Sequence, residues 1–446
     1  MSAPALRAPT DRQFPDSPDP VVQAYFLKKM VLASRDAVQR NTRGVLDLLL
    51  KLEPELAVSV LRELDTQAAA GLGQLLLHLL WEDPRPEVQA PALKLLGMQP
   101  EREQFLPELL RLRKHLRSPR AVSALVSVLG CVGRDLPFRL FKPFLAHPDA
   151  RVRANTLEAL LDRLHPRLTE VFAVMVNDPS PRVRALAALA LWRLGRPVLT
   201  SLLAESEDPA ARLALAHAAG RVGQDASLAD ALFAIAGDEA LAPELRRAAA
   251  SALGTVASRQ DISRLIGVAY KAGVLDVRRS LVASAASLDA EGTAAYLTQV
   301  LERLGATTRH RQLASTLSLI GVLHVQPQPS VLAPYLAHPD SRVAANATET
   351  LGAHAADDFI SRSLARSLSH PASRVSANAA VALWRHGCVE AFSRLRVLAT
   401  DAAAGARASA AWAFGRLGGL LAQDAVRPLL EDPDENVRRW AFEALR

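Results

Sequence analysis

Apolar and polar positions along the chain recur in one frame. An apolar segment ends at Asp or His followed by Pro, at His147-Pro148, Asp178-Pro179, His338-Pro339, His370-Pro371 and Asp432-Pro433. The residue before a proline is pushed out of the helical region, and proline itself suits the first turn of a helix. The pair therefore closes one helix and opens the next. Four residues after the proline stands a valine: Val152, Val183, Val343, Val375 and Val437. From Val183, an apolar stripe continues through Ala187, Ala190, Leu191 and Leu194, which is the spacing of one helix face at about 3.6 residues per turn. The alanines in it let neighbouring helices approach closely. Glycines nine or twelve residues after the anchor (Gly97, Gly130, Gly133, Gly195, Gly254, Gly352, Gly387, Gly415 and Gly418) are expected to end the helix.

Alignment by this frame gives twelve anchors: Val88, Ala121, Val152, Val183, Ala211, Leu245, Val277, Gln312, Val343, Val375, Ala406 and Val437. They span 349 residues in eleven intervals, a period close to 32. A two-helix unit at this period is the signature of a solenoid, whose units bury their apolar faces only by stacking on sequence neighbours.

The pattern resembles HEAT repeats, in particular the short bacterial HEAT-like type also seen in phycobilin lyases. A proline nine residues before the anchor (Pro143, Pro334 and Pro428) matches the kinked first helix of that family. Asp-Pro, Val-Arg and the Ala/Leu second helix complete the match, over residues 65–446. The resemblance implies an all-α fold, a right-handed α-solenoid of about twelve two-helix repeats. It implies no single activity, because HEAT arrays serve many unrelated functions.

Outside the frame, residues 1–20 are rich in Pro, Ser and Asp with hardly any large apolar side chain, and are expected to be a disordered tail. Residues 21–64 carry amphipathic helices without the repeat signature, as expected for an N-terminal cap over the first exposed core face. Residues 291–330 are irregular: the interval from Val277 to Gln312 is 35 residues, and QPQPS follows at 326–330. A change of curvature is expected there rather than a domain boundary.

Half of the residues are hydrophobic and only 5% aromatic, which fits a stack of Ala/Leu-rich helices. No apolar run reaches membrane length, the N-terminus lacks an apolar signal segment, and Cys131 and Cys388 fall in distant repeats. The chain reads as cytoplasmic. The net charge is +7, and only seven of the 53 basic residues are Lys. A charge this modest permits nucleic acid binding without indicating it. No Gly-Lys pair, HExxH, GxSxG, SxxK or CxxC occurs, so the sequence offers no catalytic motif, no cofactor and no metal site, and it reads as a non-enzyme.

Several slots remain as candidates. His147, His338 and His370 share one frame position with Asp178 and Asp432. Packed helices are about 8–10 Å apart, so these imidazoles cannot converge on one metal ion and read as turn formers. The arginines at anchor plus one (Arg153, Arg184, Arg246, Arg278 and Arg438) form a row. It is either a positive stripe or a ladder bonded to inter-helix aspartates and carbonyls, and the resemblance favours the ladder. Asn155, Asn346 and Asn378 share anchor plus three, where backbone contacts between repeats are expected. A partner surface is assigned to the second arginines Arg247, Arg279 and Arg439, to Trp192 and Trp384 at anchor plus nine, and to Trp440 near the end. The leading expectation is a protein–protein interaction scaffold with a groove of mixed arginine and apolar character. The alternatives are nucleic acid binding on a basic concave face and phycobilin-lyase-like chromophore handling.

Overall fold

The computed structural model describes residues 19–33, 42–66, 72–133, 136–325 and 327–446. Most of the expected tail, residues 1–18, lies outside them. The described residues are helical, with short 3-10 segments and no strand. The chain divides into two compact units, residues 1–218 and 219–446. The division falls at the helix Pro209–Ala219, next to the shortest anchor interval of 28 residues, and not within 291–330, where Ala290–Gly305 is one continuous helix.

Both units are α-solenoids built from the predicted hairpins. In the first, the second helices Pro86–Met98, Pro119–Val132, Ala150–Leu160 and Pro181–Arg193 pack in chain order, each also against its own first helix. Residues 42–66 follow the same plan: Thr42–Lys51 packs on the first helix Gly73–Glu82, and Pro54–Thr66 packs on the second helix Pro86–Met98. The second unit continues with second helices Pro243–Val256, Leu275–Leu288, His310–Ile320, Ser341–Leu351, Ser373–Arg385, Ala404–Leu417 and Glu435–Leu445. Among the described residues no helix is long and apolar enough to cross a membrane.

Eleven of the twelve anchors are buried, at 6% exposure or less. Gln312 departs from this: it is exposed, and Leu313 beside it is fully buried. The frame itself holds there, because Asn346 donates to the carbonyl of Ala314 as Asn378 donates to that of Ala345. Pro334 and Pro428 lie in the 3-10 segments Ala333–Ala337 and Arg427–Glu431 that prolong first helices, the expected kink.

The glycines divide into two classes. Those at anchor plus twelve do end helices, and Gly195 and Gly387 take φ of 79° and 88°, the left-handed region that other residues avoid. Of those at anchor plus nine, Gly352 caps its helix as expected, whereas Gly97, Gly130, Gly254 and Gly415 lie inside theirs, contrary to expectation. They lie within the last turn or at its end, where the next second helix presses closest; a Cβ on Gly415 would stand 2.9 Å from the methyl of Ala444.

The arginine row is a ladder. Arg153 forks the Asp178 carboxylate of the next repeat at 2.7 and 2.8 Å and donates to the carbonyls of His147 and Pro148 in its own turn. Arg407, at the same slot, forks Asp432 at 2.6 and 2.9 Å and donates to the carbonyls of Asp401 and Ala402. Arg184 reaches Asp208 at 2.7 Å, and Arg438 and Arg278 donate to carbonyls of their own turns. Burial pushes the Asp178 carboxyl up, but the Arg153 fork and the Ser180 N–H outweigh it, and the net shift is downward. The Arg407 fork likewise holds Asp432 below the usual carboxylate range. At the helix N-cap, the Arg151 fork brings Asp149 down to about 2.

The histidines form turns. His147, His338 and His370 each accept, at Nδ1, the N–H of the residue two further on, at 3.0, 3.1 and 3.0 Å. Asp178 and Asp432 accept the same N–H through Oδ1 at 2.8 and 2.9 Å. An imidazole nitrogen thus replaces a carboxylate oxygen in an Asx-type turn.

Candidate functional site

The asparagine slot connects the fold to a candidate site. At anchor plus three, each Asn donates Nδ2 back to the preceding second helix: Asn155 to the Ser123 and Ser127 hydroxyls, Asn346 to the carbonyl of Ala314, Asn378 to that of Ala345. The amide oxygen then faces the following repeat. Arg182, at anchor minus one of the next repeat, donates to Asn155 Oδ1 at 3.1 Å, and Arg374 to Asn346 Oδ1 at 3.4 Å. For Asn378 the corresponding residue is Gly405. Asn378 is 3% exposed, and its Oδ1 is a buried acceptor with no donor. Flipping the amide would not help, since it would set Oδ1 against the Ala345 carbonyl.

Asn378 also lines a cleft of about 20 Å³ across the second helices Ser341–Leu351, Ser373–Arg385 and Ala404–Leu417. Gly352, Val381 and Ala382 form its floor, and Glu349, Arg385, Trp412 and Arg416 its rim. Small residues let the three helices close to this distance: Ala344, Ala345 and Val375 are fully buried between the first two. Arg385 and Arg416 occupy the same slot, anchor plus ten, in consecutive repeats. Both are exposed and neither has a hydrogen bond or ion pair among the described residues. Arg416 lies 5.8 Å from the centre of the Trp412 ring, within the range of a cation–π contact. The cleft is thus lined by two guanidiniums without an ion pair, one of them over the Trp412 indole, by the Glu349 carboxylate, and by Asn378. The two guanidiniums can hold an anionic group.

A larger groove, about 320 Å³, lies between first helices of the other unit, lined by Gln74, His78, Trp81 and Glu108. Trp81 packs edge-on against His115, with ring centres 4.4 Å apart. No group of three or more His, Cys, Asp or Glu residues is placed to hold a metal ion among the described residues.

The sequence profile of HEAT repeats matches residues 196–287 and 360–446. These stretches are HEAT repeats. No curated protein matches the chain. Among solved structures, Kap121p bound to Pho4p is 15% identical over 90% of this chain and 52% of its own, with a TM-score of 0.47. Kap121p bound to RanGTP is 15% identical over 92% and 52%, also with a TM-score of 0.47. Human deoxyhypusine hydroxylase in complex with glycerol is 17% identical over 64% of this chain and 97% of that one, with a TM-score of 0.24. The chain spans about half the length of the Kap121p structures it matches.

Within these HEAT repeats the residues assigned from sequence are dispersed. Arg247 and Arg279 are exposed and without a hydrogen bond or ion pair among the described residues. Arg439 is exposed, donates to Asn436 at 2.6 Å and lies 5.8 Å from the half-buried Trp440 ring. Trp384 is half-buried, its ring 5.3 Å from Phe392, which in turn is 5.4 Å from Phe414. Trp192, which precedes both matched stretches, is half-buried in the first unit. None of the six lines the cleft. The residues that do, Arg385, Trp412 and Arg416, escaped the sequence reading because anchor plus six and plus ten hold different residues in most repeats. The signal available was the pair of arginines at plus ten in consecutive repeats, with no acidic residue at plus ten of the repeat before either.

Proposed function

We propose that the protein is a non-enzymatic scaffold that holds a segment of a partner protein across the second helices between residues 346 and 416. The observation that carries this reading is Asn378 Oδ1. In the two sister repeats the chain supplies an arginine to that oxygen; here it supplies none, and two guanidiniums without an ion pair, one over the Trp412 indole, line the same cleft. A buried acceptor without a donor costs about 1–3 kcal/mol, which a bound segment would recover. Arg439 and Trp440, in the next repeat, extend the same side of the stack. The nucleic-acid reading loses its most regular residues, because the arginines at anchor plus one are bonded within the ladder.

The test is selection from a displayed random-peptide library on the purified full chain, repeated on Trp412→Ala and on Arg385→Gln/Arg416→Gln. Peptides that bind the parent and fail on both variants, with helical content unchanged, support the reading. Enrichment identical on parent and variants would remove this face from consideration.

A further inference from the structure

The chemistry of the partner segment can be taken further, on the premise that this cleft is the docking face. We propose that the cleft takes an extended, acidic protein segment in the polyproline II conformation, with carboxylates three residues apart on Arg385 and Arg416 and one backbone N–H on Asn378 Oδ1. Three observations lead there.

Charge comes first. Arg385 and Arg416 are exposed and unpaired, and the guanidinium fork matches a carboxylate edge-on. Stacking on Trp412 pre-orients Arg416, so less freedom is lost on binding. Spacing is second. The two arginines hold the same slot on neighbouring second helices, and packed helices stand about 8–10 Å apart. A polyproline II chain rises about 3.1 Å per residue with three residues per turn, so side chains at i and i+3 recur on one side every ~9.3 Å. A β-strand, with its two-residue alternation, would turn the i+3 side chain away.

Size is third. About 20 Å³ admits one water-sized group and no side chain. The segment must therefore cross the cleft, with only a small donor entering it. Polyproline II leaves its backbone N–H groups without internal partners, which is the donor Asn378 lacks. A phosphodiester backbone would satisfy both guanidiniums but brings no donor along its chain. Glu349 stands exposed on the rim one repeat earlier. It repels a third carboxylate and so fixes where the acidic stretch stops.

Fluorescence anisotropy on the full chain provides the test, with four labelled probes of matched length. The first is a proline-rich peptide with Glu at i and i+3; the second carries the same residues with the two Glu adjacent. The third has Gln in place of both Glu, and the fourth is an oligothymidylate. The first should bind tightest, and the Gln peptide weakest. Arg385→Gln and Arg416→Gln should each weaken the first probe roughly tenfold without moving the thermal melt. Glu349→Gln should strengthen it about twofold. Equal binding of the Glu and Gln peptides would overturn the proposal, as would preference for the oligothymidylate or for adjacent Glu. The two readings fail separately. Library peptides that depend on Trp412 but lack carboxylates would leave the scaffold standing and remove the acidic segment; no dependence on this face would remove both.

Discussion

The second helices at 150–193 and at 373–416 use the same slots to opposite ends. In the first region Asn155 is bonded at both ends of its amide, and Arg193, at anchor plus ten, is tied back to the Leu161 carbonyl at 3.2 Å and to Asp162 at 3.5 Å. In the second region Asn378 is bonded at one end, and Arg385 and Arg416, again at anchor plus ten, are tied to nothing. The difference comes from single residues in neighbouring repeats. Asp162 precedes Arg193 by one repeat; Ala353 and Arg385 hold that position before the two free arginines. Arg182 follows Asn155, and Gly405 follows Asn378. In both, neighbouring second helices pack on each other. A repeat thus has its polar groups bonded within the stack or left unpaired according to one or two side chains.

The largest effect should come from breaking the closed region. Arg153 and Asp178 are 11% and 9% exposed, and Arg153→Met leaves a buried carboxylate without its counter-charge. A loss of about 3 kcal/mol is expected in urea unfolding, whereas Arg416→Met should cost less than about 0.5 kcal/mol. Equal losses would mean that exposure, not pairing, separates the regions. The same pairs set the acid limit. Asp178 and Asp432 titrate lower in the folded chain than the ordinary Asp value near 3.9. Their contribution is therefore complete above about pH 5 and lost as pH falls through the folded values. The melting temperature should stay level from pH 7 to about 5 and drop below about 4; in Arg153→Met/Arg407→Met that drop should shrink. A drop of unchanged size would assign acid unfolding to other carboxylates.

The open region can be converted into a closed one. Gly405 has a helical backbone and open space where a Cβ would stand, at the slot from which Arg182 and Arg374 reach their asparagines. Gly405→Arg should donate to Asn378 Oδ1 and replace a helical glycine, raising stability by about 1 kcal/mol. It should also abolish binding of the acidic probe peptide. A stabilised variant that still binds the peptide would show that the amide oxygen is not part of the contact.

Much of this was legible in the sequence, for a physical reason. Features that recur in many repeats, such as the Pro-anchored turn, the buried anchor and the arginine ladder, serve stacking and so repeat with its period. Glycine at anchor plus nine was visible but only partly read: Gly352 does end its helix, yet only the neighbour's Ala444 or Ala382 shows that the slot is also a point of close approach. Gln312 was placed correctly by the frame, although its side chain faces outward and Leu313 is buried in its stead. The cleft was not legible, because it consists of omissions: a missing arginine at 405 and missing acids at 353 and 385. Trp192 and Trp384 drew notice by repeating, and repetition marks a packing role, as the contact of Trp384 with Phe392 illustrates. Trp412 does not repeat.

The smallest effect tests why some turns carry His and others Asp. Asp178 and Asp432 each follow a repeat with arginine at anchor plus one, Arg153 and Arg407, and receive its fork. His147, His338 and His370 follow Val122, Leu313 and Ala344, which offer no charge. Both side chains make the turn bond; only the carboxylate answers a guanidinium. Asp401 shows that the carboxylate is tolerated without one, since it follows Ser376 and takes the Ala403 N–H at 2.8 Å. His370→Asp should therefore change stability by less than about 0.5 kcal/mol. Asp178→His keeps the turn but strands Arg153, and should cost nearly as much as Arg153→Met. If the two exchanges cost the same in urea unfolding, the preceding arginine does not decide which residue the turn carries.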